Sequence, residues 1–190
     1  MEELFTIVNK KVMKKRIINL FLSFALIVSS LFSISFPVVA EESKIIDDFD
    51  AAWQYSAGDA EHGGWNYTRN YTPDMDPSTS EHYSNTVGAT ATLTFNGTKL
   101  EIYGKRAPEH TMFTIKIDDQ EPVEIDEYAS AKATNQLLFT SDELQPGNHT
   151  ALITVIDKKN PDWTPASNGK QYGVQLEYAK VYGFEKIDED

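Results

Sequence analysis

Trp163 lies in the segment Asn160-Pro161-Asp162-Trp163-Thr164-Pro165, where no strand period is present to bury it. A ring held in a polar loop can stack on the flat apolar face of a sugar, while neighbouring polar groups fix the hydroxyls. Such groups follow Gly104, where Lys105, Arg106, Glu109 and His110 succeed the end of a strand pattern. Arginine and glutamate can each make paired hydrogen bonds to vicinal hydroxyls. Asp126 and Tyr128 in the next loop join them, and His82 and Tyr67 upstream complete the candidate ligand-binding set. Each has a plainer competing role. Trp163 could pack on the end of the domain, the Lys105–His110 run could be a solvated turn, and His82 could hydrogen-bond internally.

Catalytic patterns are missing by comparison. A glycosidase needs two carboxylates set across a cleft, but acidic residues are so numerous that candidate pairs carry no information. There is no G-x-S-x-G, no H-E-x-x-H and no cysteine nucleophile. His62 and His82 share one loop region but are twenty positions apart, without metal-ligand spacing. The expectation is a binding protein rather than an enzyme. A glycoside-active enzyme is the weakest alternative, and a surface adhesin or structural module that binds a protein partner is the stronger one.

The elements that must position these residues read as strands. In Gly88–Lys105, GATATLTFNGTKLEIYGK, apolar Ala89, Ala91, Leu93 and Phe95 alternate with threonines, Asn96-Gly97 breaks the run, and Leu100 and Ile102 resume it. That pattern predicts two half-buried strands joined by a tight turn. Phe113, Ile115 and Ile117 predict a third strand, Val123 and Ile125 a short one with both residues inward, and Gln136–Phe139 a brief one. His149–Ile156 is apolar on both faces and is expected to be central. Val174, Leu176 and Tyr178 alternate in a closing strand that Val181–Phe184 extends after a phase break. Residues 51–87 show little periodicity and read as a long loop region around an opening strand at Ile45-Ile46. Short strands, Gly/Pro turns and no amphipathic helix predict an all-β fold, a β-sandwich or jelly roll of roughly seven to nine strands.

The amino-terminal residues predict export. Lys10, Lys11, Lys14, Lys15 and Arg16 precede an apolar run, Ile17–Val28, broken only by Asn19 and Ser23. Pro37-Val38-Val39-Ala40 then offers a small residue before Glu41-Glu42. This is the order of a secretory signal peptide, residues 1–40, with cleavage after Ala40 and a single β-sandwich domain over 41–190. A membrane anchor is the competing reading, and no basic stop-transfer cluster follows to support it. The whole chain carries 17 basic and 29 acidic residues, net −12. The first 40 residues hold five basic and two acidic ones, so 12 and 27 remain, net −15. Such a surface repels nucleic acid and anionic lipid. The absence of cysteine is unlike small eukaryotic secreted domains and fits a protein secreted by a Gram-positive bacterium. The sequons at Asn66, Asn70, Asn96 and Asn148 are then chance occurrences.

The order of features resembles the galactose-binding-like jelly rolls of secreted bacterial carbohydrate-binding modules. The likeness rests on Ile46-Asp47-Asp48, Tyr55-Ser56, Trp65, His82-Tyr83-Ser84, Gly88, Phe95-Asn96-Gly97-Thr98 and Ile102-Tyr103-Gly104. It continues through Ile117-Asp118, Leu144, Pro146-Gly147, His149-Thr150 and Val174–Tyr178. The chain departs from the pattern at Asp119, where glycine is usual, and in the longer loop 66–82. The resemblance implies a lectin-like, non-catalytic module that binds a glycan through loops at one end of the sandwich. It implies core positions for Trp53, Tyr55 and Trp65. It also implies a structural calcium near the first and last strands, for which Asp47, Asp48 and Glu177 are the donors on offer. Such modules are normally attached to an enzyme, so a separately encoded enzyme or surface protein is a further expected partner.

Overall fold

The computed structural model describes residues 42–58, 64–69, 80–167 and 173–184. The signal-peptide expectation for residues 1–40, together with His62 and Asn70, lies outside the described residues. Eleven strands and no helix are present among those described. They are β1 (Ser43–Asp47), β2 (Trp53–Tyr55), β3 (Asn66–Arg69), β4 (Ser80–Ser84), β5 (Thr90–Gly97) and β6 (Lys99–Arg106). β7 (Met112–Ile117), β8 (Val123–Asp126), β9 (Ala133–Thr140), β10 (Gly147–Val155) and β11 (Val174–Tyr182) follow.

Two antiparallel sheets share one core. The first runs β3-β4-β11-β6-β9, with β1 also pairing β11, and the second runs β2-β5-β10-β7-β8. β6 lies along one edge of β11, while β4 and β1 meet successive parts of it, Val174–Leu176 and Tyr178–Tyr182. Strand alternation sets which residues face inward. Ala91, Leu93 and Phe95 of β5, Phe113, Ile115 and Ile117 of β7, and Ala151, Ile153 and Val155 of β10 are buried in the second sheet. They meet Leu100 and Ile102 of β6 and Val174, Leu176, Ala179 and Val181 of β11. The last strand does break phase, but earlier than expected: a β-bulge falls between Leu176 and Tyr178, and Tyr178 leaves the core cluster. The extra residue there turns Ala179 and Val181 back into the core.

Four expectations need correction. The two strands of Gly88–Lys105 exist, but they belong to opposite sheets and do not pair as a hairpin. Thr98, between them, donates its N–H to Tyr182 O at 2.8 Å, so the chain crosses at the corner onto β11. Residues 51–87, expected as loop, hold β2, β3 and β4. Their inward positions on β4 are polar, Ser80, His82 and Ser84, and the hydrophobic alternation that betrays a strand is missing. Val123 does not face inward; it is 49% exposed on the edge strand β8, and only Ile125 packs on the core. β10 is central, between β5 and β7, yet Leu152 on its other face is open to solvent.

At one corner the aromatic residues of β2–β4 close the sandwich. Trp53 and Trp65 are buried, and Tyr55 stacks between Trp53 (5.9 Å, 12°) and His82 (4.0 Å, 6°). The core roles implied for Trp53, Tyr55 and Trp65 are met in this cluster. On β10, His149 is also structural: its Nδ1 lies 2.6 Å from Asp118 Oδ2 and its Nε2 2.7 Å from Gln145 O.

Candidate functional site

Three connections gather at the end of the first sheet. Ala107 N–H donates to Glu127 O, Ala129 N–H to Ala107 O, and Glu127 N–H to Thr111 O. Thr164 N–H donates to Pro108 O, and Met112 N–H to Lys158 O. The β6–β7 and β8–β9 connections and the segment after β10 are thus sewn together through their backbones. They enclose a cleft of about 520 Å³ lined by Glu81, Glu109, His110, Lys132, Thr164 and Gln175, among others.

Beneath the cleft lies a fully buried carboxyl, Glu127. Its Oε2 accepts from Gln175 N–H at 3.0 Å and lies 3.1 Å from His110 Nδ1. Burial pushes Glu127 up to about 7, although His110, the Gln175 N–H and Arg106 all favour its charged form. Two oxygens here are buried without a hydrogen-bond partner, Glu127 Oε1 and Gln175 Oε1. On the wall, Lys105 and Glu81 form a largely buried ion pair. Burial lowers the Lys105 ammonium below the usual lysine range, opposed by Glu177 and reinforced by Lys132.

The structure divides the predicted ligand set. Glu109 lines the cleft, and Lys105 reaches its wall through Glu81. Arg106, Asp126 and Tyr128 form a brace instead. Arg106 Nη1 donates to Asp126 O at 2.6 Å, Asp126 Oδ1 accepts from Tyr128 N–H at 2.8 Å, and Asp126 Oδ2 accepts from Asn160 Nδ2 at 2.6 Å. That last bond ties the Trp163 loop to the end of β8. Trp163 is half-buried beside Thr164, and the Lys159 ammonium lies 4.0 Å from its ring centroid. A cation seated there competes with a sugar for that ring face.

His82 and Tyr67 are not brought to the cleft. His82 follows Glu81 on β4 and so points to the opposite side of the sheet. Its Nδ1 lies 2.6 Å from Asp48 Oδ2, and Ser80 Oγ donates to Asp48 Oδ1 at 2.5 Å. Burial raises the Asp48 carboxyl above the usual range, partly offset by these two hydrogen bonds. Tyr67 is 61% exposed, against Phe49 and His82. Asp48→Asn weakens a buried charge-assisted network, and a loss of about 1–3 kcal/mol in urea unfolding is expected. An unchanged midpoint would show that the network is dispensable.

The donors on offer for calcium are already engaged. Asp47 Oδ1 accepts from Phe49 N–H at 3.0 Å, both Asp48 oxygens are held, and Glu177 Oε2 accepts from Asn135 N–H at 2.7 Å. Among the described residues no group of three or more His, Asp or Glu side chains is gathered as a cation would require. Asp47, Asp48 and Glu177 thus serve the protein's own hydrogen bonds and are not gathered as a group of three. Glu81, Lys132, Thr164, Gln175 and Glu127, absent from the sequence reading, are brought in by the fold. Gln175 and Glu81 occupy strand positions whose polarity reads as ordinary solvent facing, so no local signal marks them.

No family model matches the chain, and no curated protein does. Solved structures do. A two-domain esterase active on acetylated mannans superposes with a TM-score of 0.55 at 13% identity, over 77% of this chain and 37% of that one. The same esterase co-crystallised with mannopentaose gives 0.54 at 13% identity, over 77% and 38%. A CBM35 from Cellvibrio japonicus matches at 10% identity over 76% of this chain and 95% of its own, with a TM-score of 0.45. The chain thus spans less than two fifths of the esterase's length. At such identities the likeness concerns the fold alone, and by fold the chain is an all-β, jelly-roll-like sandwich of two antiparallel sheets.

Proposed function

We propose that the chain is an exported, non-catalytic glycan-binding module whose site is the polar cleft at the end of the first sheet. The observation that carries this reading is the cleft itself: three connections fixed by backbone hydrogen bonds, with buried polar side chains at its floor. Acceptors and donors held in place before the ligand arrives limit the ordering cost of binding. Among the described residues, Ser80, His82 and Asp48 form a grouping that resembles a triad, but its geometry does not support catalysis. Ser80 and His82 both bond Asp48 and not each other, so no nucleophile rests against a base.

The test is a glycan array with residues 41–190, run with calcium and again with chelator. Binding to a coherent set of sugars in both conditions supports the reading. A blank array from well-folded protein sinks it and moves the cleft to a protein partner. Release of new reducing ends from a polysaccharide would instead favour an enzyme. Trp163 does not line the cleft but immediately precedes Thr164, which does, and its replacement tests whether the ring takes part. Trp163→Ala is expected to weaken glycan retention about tenfold, or about 1.4 kcal/mol, with Tm little changed. A large fall in Tm with affinity retained would assign the ring to packing.

A further inference from the structure

The floor of the cleft holds one buried acceptor that the protein itself leaves without a donor, beside a histidine ring. Gln175 is 94% buried (6% exposed), lines the cleft, and its Oε1 has no hydrogen-bond partner. His110 is 1% exposed and also lines the cleft. Its Nδ1 faces Glu127 Oε2 at 3.1 Å and Lys105 O at 3.3 Å. The Lys105 carbonyl is an acceptor only, and Glu127 Oε2 already accepts the Gln175 N–H. Because the carbonyl can only accept, the hydrogen of the neutral ring belongs on Nδ1, and Nε2 is then its acceptor edge.

An unpaired buried acceptor is costly unless something supplies a donor. The groups around these two acceptors determine what that donor can belong to. Charge there is balanced: Glu81 pairs with Lys105, and Glu109 and Glu127 stand against Lys132 and Arg106. A ligand carboxylate or sulfate brings lone pairs and no hydrogen to these acceptors, which repel it. A neutral hydroxyl brings the missing hydrogen without that repulsion.

Resting on the glycan-binding reading above, we propose that Gln175 and His110 are the specificity-determining pair of the cleft, accepting hydrogen bonds from hydroxyls of a neutral sugar and excluding acidic glycans. Glu127 acts through His110 as a positioning residue that fixes its tautomer. A site built to bond a hydroxyl discriminates strongly against ligands lacking it, because its own buried acceptors then stay unpaired.

The experiment uses affinity electrophoresis through mannan, galactan and xylan, with polygalacturonate as the acidic counterpart. Wild type is expected to be retarded by at least one neutral polymer and not by polygalacturonate. Gln175→Met keeps the length of the side chain and removes the carbonyl. Retention should fall at least tenfold while Tm holds or rises, since the orphaned oxygen is gone. Nitrogen-15 NMR of wild-type His110 should show a protonated Nδ1 and a bare Nε2, and Glu127→Gln should loosen that preference. Undiminished retention of Gln175→Met, equal binding of polygalacturonate, or a protonated Nε2 would each overturn the assignment. Neutral-polymer binding that survives Gln175→Met overturns this inference alone. A wild type that binds no glycan overturns the parent reading as well.

Discussion

Gly104→Ala is expected to disrupt the sandwich, at about 3 kcal/mol or more in chemical denaturation. Gly104 lies on β6 opposite Leu176, where β11 is held on both edges. A Cβ there would overlap the Gln175 carbonyl oxygen and come within 2.7 Å of Leu138 Cδ1. The leucine can shift, but the carbonyl is backbone in a strand fixed by its neighbours. Relief would require β6 to part from β11 beside the bulge. Because Gln175 is also part of the cleft, the variant should lose ligand along with stability. An unchanged denaturation midpoint would show that the strands separate more easily than their pairing implies.

Trp65→Ala should cost about 3–5 kcal/mol, the range for deleting a core aromatic. The ring is 7% exposed and tilts against Tyr55 at 5.4 Å, on the corner that closes over β4. Trp65→Phe separates packing from polarity. The indole Nε1 is buried without a partner, so phenylalanine gives up volume but no hydrogen bond and should cost much less than alanine. Urea midpoints for the two variants check this. Equal losses would mean that the N–H matters or that the site cannot re-pack, and no loss for alanine would remove Trp65 from the core.

The sequence was most legible where one face of a strand is apolar and the other polar. β5 and β7 follow that rule residue by residue, because burial on one side imposes a period of two. A change of phase in β11 was visible between Tyr178 and Val181, but the bulge itself falls one step earlier, between Leu176 and Tyr178. β4 was not legible, because Asp48 and the Gly64 carbonyl satisfy its inward Ser80, His82 and Ser84. Buried polar residues with distant partners look like a surface when the partners cannot be seen. The Asn96-Gly97 break was visible, but whether it closed a hairpin or turned a corner depended on Tyr182, far along the chain.

The candidate site shows the same division. Glu109 and His110 drew attention because they follow a strand end, and both line the cleft. Arg106, Asp126 and Tyr128 were equally plausible by type, yet they spend their hydrogen bonds on bracing the loops. By itself the sequence determined the all-β class, the inward sets of β5 and β7 and the lack of catalytic motifs, since periodicity and composition are local properties of a chain. Only the tertiary structure decided that Glu81, His110, Glu127 and Gln175 meet around one cleft while His82 faces away. Their meeting depends on which strands pair and which side of a strand each residue takes, and both are set by contacts between distant segments.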